Sequence, residues 1–375
     1  MLNAMKIRTD DAPLARRWRL GLVGCGWVGA VHADAARMLP GVEVVACSAS
    51  RIERALHFAH QRGIQHYFAD YRQLLALPEV DAVVIGTPNH LHHRMAVAAL
   101  DAGKHVIVEK PLAVTLEEAE DLVARSKAAG RHVAYAEELC FVPKFVEAKR
   151  IMASGKLGEV RVVKQVEKHE GPHARWFYEA DEAGGGIALD MGCHSVEFAR
   201  WILGKPRVVS VFAHMATWLH REGLHRDVTD LEDDCVIHLA FEGGATALLE
   251  SSWTLKGGMD SRTELHGTGG VLYANLLQEG MGMRLHSAPE GWTYPDVAWN
   301  FQNGYPHELA HFLRCFETGE RPEESAEDGL AVLEILLAAY QSAGSGRRVS
   351  LPFRPRGVRR PVDLWRSPLP EAPPA

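Results

Sequence analysis

The chain has 375 residues, 47% apolar and 24% charged, enough for two or three domains at roughly 150 residues each. That composition excludes a disordered, collagen-like or fibrous protein and leaves ample apolar material for a core. The formal net charge of −7 offers no basic excess to neutralise phosphates, so neither nucleic acid nor an anionic membrane is an expected partner. Cys25, Cys47, Cys140, Cys193, Cys235 and Cys315 are scattered, with no metal-finger spacing, which points to a reduced, cytoplasmic protein. No apolar run reaches the roughly 18 residues of a membrane helix. Arg16-Arg17 before Trp18 imitates a twin-arginine export signal, but the apolar stretch that follows carries the best cofactor motif, so export is not expected.

Residues 1–17 lack an apolar period and read as a flexible arm. From Trp18 short apolar runs alternate with amphipathic stretches. Strands are expected at 19–23, 42–47, 82–86, 105–108 and 132–136, and helices at 30–39, 52–61, 71–77, 92–102 and 116–129. Gly63, Gly103 and Gly130 sit where helices would end in the left-handed conformation. This alternation predicts βαβ units on a parallel sheet across 18–138. The period then changes. A helix is expected at 143–154, strands at 159–169, 207–219 and 263–277, and a hairpin turning at Glu242-Gly243-Gly244. Two helices, 307–318 and 325–342, close the second region, 139–350. Its period-two pattern predicts a large, mostly antiparallel open sheet in an α+β domain. The stretch 351–375, with seven prolines and five arginines, reads as a disordered tail.

The strongest motif is Gly24-Cys25-Gly26-Trp27-Val28-Gly29, a G-x-G-x-x-G directly after a strand and opening a helix. Its glycines allow a tight turn and close approach of a pyrophosphate, with helix amides and dipole completing a dinucleotide site. NAD-preferring chains usually put an acid at the end of the second strand to hold the ribose diol. Here Ser48-Ala49-Ser50-Arg51 has none, and Ser50 and Arg51 can donate to a 2′-phosphate, which favours NADP over NAD. Thr87-Pro88-Asn89, His92 and Glu109-Lys110-Pro111 fall at carboxyl ends of later strands, where ligands of open α/β sheets gather. Thr115-Leu116-Glu117-Glu118 has the form of a capping box that pins the next helix. In Gly184-Gly185-Gly186-Ile187-Ala188-Leu189-Asp190-Met191-Gly192-Cys193-His194, Asp190 and His194 are four apart and would share a helical face. An aspartate there could fix the imidazole tautomer for proton transfer, or the pair could be structural. The three glycines would admit a ligand or another backbone.

Taken together and in this order, the Gly24–Gly29 loop, Thr87-Pro88-Asn89, Glu109-Lys110-Pro111 and the Gly184–His194 segment resemble the Gfo/Idh/MocA oxidoreductases over about 18–351. The resemblance implies a Rossmann domain followed by an α/β domain with a large open sheet used for assembly, here a homodimer or homotetramer. It implies an active site between them with Lys110, Asp190 and His194 as catalytic residues. His194 would take the substrate hydroxyl proton, Asp190 would support the histidine, and Lys110 would hold the reacting oxygen. Two departures stand out. The ribose-binding acid of the family's NAD users maps to Ala49, and Glu138 and Cys140 stand where many members carry asparagine or a basic residue.

The expected cofactor contacts are therefore Gly24, Cys25, Gly26, Trp27, Val28, Gly29, Ser48, Ser50, Arg51, Thr87, Pro88, Asn89, His92, Glu109 and Lys110. Expected substrate contacts are Lys110, Glu138, His169, His173, Trp176, Asp190 and His194, with Trp176 able to cover the apolar face of a sugar ring. No metal is expected, since His169 and His173 lack helical spacing to Asp190 and His194. The function expected is NAD(P)-dependent hydride transfer at a secondary hydroxyl of a sugar, glycoside or cyclic polyol. A redox-neutral glycoside-cleaving enzyme with tightly held cofactor and a non-catalytic cofactor sensor are the rival readings.

Overall fold

A computed structural model describes residues 14–172, 174–218, 231–275, 282–295 and 303–370. The first half runs β1 (Trp18–Val23), α1 (Trp27–Met38), β2 (Val42–Ser48), α2 (Ile52–Arg62), β3 (His66–Phe68), α3 (Tyr71–Leu75), β4 (Ala82–Ile85), α4 (His92–Asp101), β5 (His105–Glu109), α5 (Leu116–Ala129) and β6 (Val133–Ala136). Its strands are all parallel in the order β3-β2-β1-β4-β5-β6. The order reverses between β1 and β4, and ligands of such sheets bind at that crevice. β4 is buried along its whole length, as expected of a strand covered by helices on both faces. The helix ends follow local chemistry. Gly63 and Gly130 cap α2 and α5 at φ 67° and 59°. Thr115 and Glu118 complete the capping box. Two details differ from expectation: α1 starts at Trp27, directly out of the glycine loop, and β3 is a short edge strand whose three residues show no apolar period.

The second half runs α6 (Pro143–Ala153), β7 (Val160–Glu170), α7 (Ala180–Ala183), α8 (Ile187–Asp190), α9 (Gly192–Ile202), β8 (Val208–Ala216), β9 (Asp234–Phe241), β10 (Thr246–Ser252), β11 (Thr254–Gly267), β12 (Gly270–Asn275), β13 (Met283–Ser287), β14 (Gly291–Thr293), α10 (Tyr305–Thr318), α11 (Ala326–Ser345), β15 (Val349–Ser350) and α12 (Pro361–Arg366). Among the described residues the sheet has nine strands in the order β14-β13-β12-β11-β7-β10-β9-β8-β15. Only β10 and β7 pair in parallel, so the mostly antiparallel sheet holds. The hairpin turns where expected. The stretch expected at 263–277 is not one strand: its described part, 263–275, is the second half of β11 and β12, folded back at Thr268-Gly269, and 276–277 lie outside the described residues. α9 is buried on all sides, wedged between the sheet and α11, and its Glu197 and Arg200 pair with each other, so a helix with no exposed face is stable here. No described helix is long and apolar enough to cross a membrane.

Near both ends the described residues correct the sequence reading, residues 1–13 and 371–375 lying outside them. Leu14–Arg17 are not loose: the Ala15 and Arg16 amides donate to the Glu317 carboxylate at 2.9 and 3.2 Å. Nor are residues 351–370 a disordered tail. β15 leads into a segment whose Pro361, Val362 and Leu364 are buried. Arg354 pairs with Glu334 of α11, Arg356 with Glu120 of α5 and Arg360 with Asp181 of α7. Pro361 opens the first turn of α12, and these three arginines find carboxylates, so composition alone misleads.

Candidate active site

The glycine loop is shaped as a phosphate cradle. Gly24 has φ +114°, and a Cβ there would lie 2.2 Å from the Gly86 carbonyl oxygen, while one on Gly29 would lie 2.1 Å from that of Gly24. A Cβ on Gly26 would meet nothing within 4 Å. Two glycines thus let chain segments touch, and the third leaves open space before the N-terminus of α1. The first intrahelical bond runs from the Ala30 amide to the Gly26 carbonyl, so the amides of the first turn are left for a ligand. At the end of β2, Ser48 is buried while Ser50 and Arg51 are exposed. The residues present fit a dinucleotide.

Two expected cofactor contacts turn inward. The Glu109 carboxylate is buried against the His32 imidazole at 2.8 Å and also accepts the Lys110 amide. Burial opposes its charge, but the bond and charge of His32 hold its pKa below the usual glutamate value. The His92 ring, 1% exposed, sits 2.9 Å from the Thr87 carbonyl and 2.8 Å from that of Pro111. Burial lowers its pKa. It staples two crevice loops together and presents no side chain to a cofactor. The Asn89 side chain is likewise committed, donating 2.8 Å to the Ala183 carbonyl across the two halves. Cys25, Val28, Thr87 and Pro88 are partly exposed along the loop region, and Trp27 is 67% exposed.

Beside this cradle, at the carboxyl end of β5, Lys110 Nζ donates to the Asp190 carboxylate at 2.8 Å and to the Asp190 carbonyl at 2.7 Å. Burial works against its charge, but Asp190 outweighs it, so the ammonium stays protonated well above neutrality. Reciprocally, burial is overcome by Lys110 and His169, and the Asp190 carboxyl is held far below the ordinary carboxylate range. Its other oxygen accepts the Trp253 indole N–H at 3.0 Å and faces His169 Nε2 at 3.8 Å. Trp253, with no sequence pattern to mark it, anchors Phe177 and Tyr178 edge-on, and Phe177 stacks on Trp176 at 3.8 Å. Trp176 is therefore half-buried in an aromatic cluster that reaches Asp190. His173 lies outside the described residues.

The expected support of His194 by Asp190 is not what the structure holds. The helix breaks at Met191: Asp190 ends α8 and His194 lies in α9. Asp190 is occupied by Lys110 and Trp253, and His194 Nδ1 instead donates to the carboxylate of Glu137, a buried residue just past β6 that the motifs did not single out. The start of α8, by contrast, is held from a distance. The Gly186 and Ala188 amides donate to the Glu232 carboxylate at 2.9 and 3.1 Å, Tyr340 donates to the same oxygen, and a Cβ on Gly186 would lie 1.9 Å from the Glu232 carbonyl oxygen. The triple glycine thus admits another backbone. The neighbouring Glu138 accepts the Gly304 amide at 2.9 Å, and burial pushes its pKa up to about 7.

The sequence comparisons agree with this architecture. Residues 18–137 match the model described as "Oxidoreductase family, NAD-binding Rossmann fold", and residues 145–273 match the GFO/IDH/MocA C-terminal domain. The chain belongs to the Gfo/Idh/MocA oxidoreductase family. It is 30% identical over 342 residues to scyllo-inositol 2-dehydrogenase (NAD(+)) of Bacillus subtilis, covering 89% of this chain and 96% of that protein. It is 28% identical to myo-inositol 2-dehydrogenase of Thermotoga maritima over 89% of this chain and 98% of that one. The solved structure of GenD2 from gentamicin A biosynthesis, in complex with NAD, superposes with a TM-score of 0.81 at 30% identity, over 91% of this chain and 98% of that one. As a Gfo/Idh/MocA oxidoreductase the chain is an enzyme with an NAD-binding Rossmann domain.

Proposed function

We propose that this oxidoreductase transfers hydride between a nicotinamide dinucleotide and a secondary hydroxyl or ketone of a sugar, glycoside or cyclic polyol. The observation that carries the reading is the meeting of Lys110 and the Asp190–His194 segment at the carboxyl end of the parallel sheet, beside the glycine cradle. The inositol dehydrogenases among the relatives supply the substrate class. The dinucleotide, held by the Gly24–Gly29 loop and the first turn of α1, supplies the hydride acceptor. Lys110, kept cationic by Asp190, donates a hydrogen bond to the reacting oxygen and stabilises it as negative charge develops. His194 takes the hydroxyl proton in the oxidation and returns it in the reduction. Trp176 and His169 lie on the Asp190 side and contact the remainder of the ring.

The acid-free end of β2, with Ser50 and Arg51 exposed at the start of α2, supports NADP as the preferred dinucleotide, since the Arg51 guanidinium, the Ser50 hydroxyl and the helix N-terminus would hold a 2′-phosphate there. The test is a panel of sugars, glycosides and polyols with NAD and NADP, read by the absorbance of the reduced cofactor. One substrate class is expected to turn over, faster with NADP, and Lys110→Ala is expected to lose about 10²- to 10⁴-fold in kcat/KM. A protein that binds dinucleotide yet turns over no member of the panel overturns the proposal.

A further inference from the structure

We propose that Glu137 is the positioning residue for His194: its carboxylate holds the imidazole proton on Nδ1, leaves Nε2 for the substrate hydroxyl, and takes the supporting role that spacing assigns to Asp190. The proposal rests on His194 being the proton acceptor. Its basis is a division of labour in the geometry. The site holds two separate pairs, each a nitrogen base with its own carboxylate, not one chain of three residues. Lys110 with Asp190 is the first, and Asp190 is further tied by the Trp253 indole. His194 with Glu137 is the second.

The second pair is the more secluded. The Glu137 side chain has no exposed surface and that of His194 is 8% exposed. The second carboxylate oxygen of Glu137 has no hydrogen-bond partner among the described residues, so the carboxylate's one bonded partner among them is His194. A carboxylate bonded to Nδ1–H fixes the tautomer and ring orientation and stabilises the imidazolium that forms when Nε2 takes a proton. When the substrate O–H bond breaks, the new N–H forms on Nε2 and the positive charge gained is matched across Nδ1 by Glu137. Glu137 reaches its place because β6 ends at Ala136 and the chain turns beneath the first turn of α9. The base and its positioning carboxylate are therefore brought together across the boundary between the two sheets.

Other charges also face His194: Lys110 and Glu109 from the end of β5, Glu138 beside Glu137 and Glu167 from β7; the adjoining Cys193 thiol is kept neutral by burial. Burial lowers the pKa of the ring, and Lys110 adds to that. Glu137, by charge and by hydrogen bond, with help from Glu138, reverses the sign, and the net pKa is raised.

The experiment is a pH titration of ¹⁵N-histidine-labelled protein without cofactor or substrate, with the His194 signals assigned by His194→Gln. It compares the parent with Glu137→Gln, Glu137→Asp and Asp190→Asn. Glu137→Gln keeps an acceptor but removes the charge, so the His194 pKa should fall by about one unit or more. The acid limb of kcat/KM should move down with it, and kcat/KM at neutral pH should fall roughly ten- to a hundredfold. Glu137→Asp, which keeps the charge, should recover part of both. Asp190→Asn should leave the Nδ1–H tautomer in place and act on Lys110. A His194 titration and tautomer unmoved in folded Glu137→Gln, or moved by Asp190→Asn instead, overturns the proposal. The titration needs no substrate, so it stands or falls separately from the turnover panel.

Discussion

Glu167 on β7 has one carboxylate oxygen held by Gln165 at 2.7 Å and Ser261 at 2.5 Å, while the other is buried without a hydrogen-bond partner among the described residues. Burial, with repulsion from Glu138 and against the favourable hydrogen bonds and His194, raises its pKa from 4.5 to about 7. The folded state thus binds this proton more tightly than the unfolded chain, and the contribution to stability is full below pH 4.5 and declines as pH rises to about 7. Glu167→Gln removes the titration. Its stability relative to the parent should therefore climb across that window, by at most about 3 kcal/mol, and stay level above it, as read by denaturant unfolding at a series of pH values. A constant difference would mean that the carboxyl titrates normally. Such residues mark the limit of what the sequence disclosed. Lys110 and His194 could be named because each sits in a motif. Glu137 and Trp253 could not, because their partners lie 57 and 63 positions away, and only the docking of α9 over the end of β6 and of the β10–β11 corner over α8 brings them in.

At the level of elements, features set by neighbouring residues were legible: the strand–glycine loop–helix unit, the Thr115 capping box and the β9–β10 hairpin. Features set by distant ones were not, and the start of α8 is the clearest case, since the Glu232 carboxylate that caps it is more than forty positions from the amides it holds. The glycine loop itself yields a paired prediction. Gly29→Ala would push a methyl to 2.1 Å from the Gly24 carbonyl, so it should cost about 1–3 kcal/mol of stability as well as dinucleotide affinity. At Gly26 the backbone is extended, with φ −94°, and the space is open. Gly26→Ala should therefore leave the melting temperature nearly unchanged and weaken dinucleotide binding alone. Titrating both variants with NADP and melting each distinguishes a turn that only folds from one that receives a phosphate; equal behaviour of the two would remove the distinction.

Across the whole molecule, residues 351–370 bind the two halves together. From β15 the chain crosses α11, where Phe353 donates its amide to Glu334, reaches α5 through Arg356 and the Gly357 amide, and returns beneath the active-site segment, where the Val362 amide donates to the Gly184 carbonyl at 3.2 Å. Ending the chain after Ser350 exposes the surface covered by Val362 and Leu364, so the truncated protein should lose at least about 3 kcal/mol. Because Gly184 opens the glycine run that leads to Asp190, turnover should fall further than the fraction unfolded explains. Calorimetry and kinetics on the truncated chain, with and without a synthetic 351–370 peptide, provide the check; unchanged melting would refute the bracing role. This arrangement also imposes an order on biosynthesis. The stretch bearing Asp190 and His194 leaves the ribosome long before the strap that braces it, so the nascent polypeptide passes through a period in which its catalytic groups have all been made but the crevice is not yet held in its working shape.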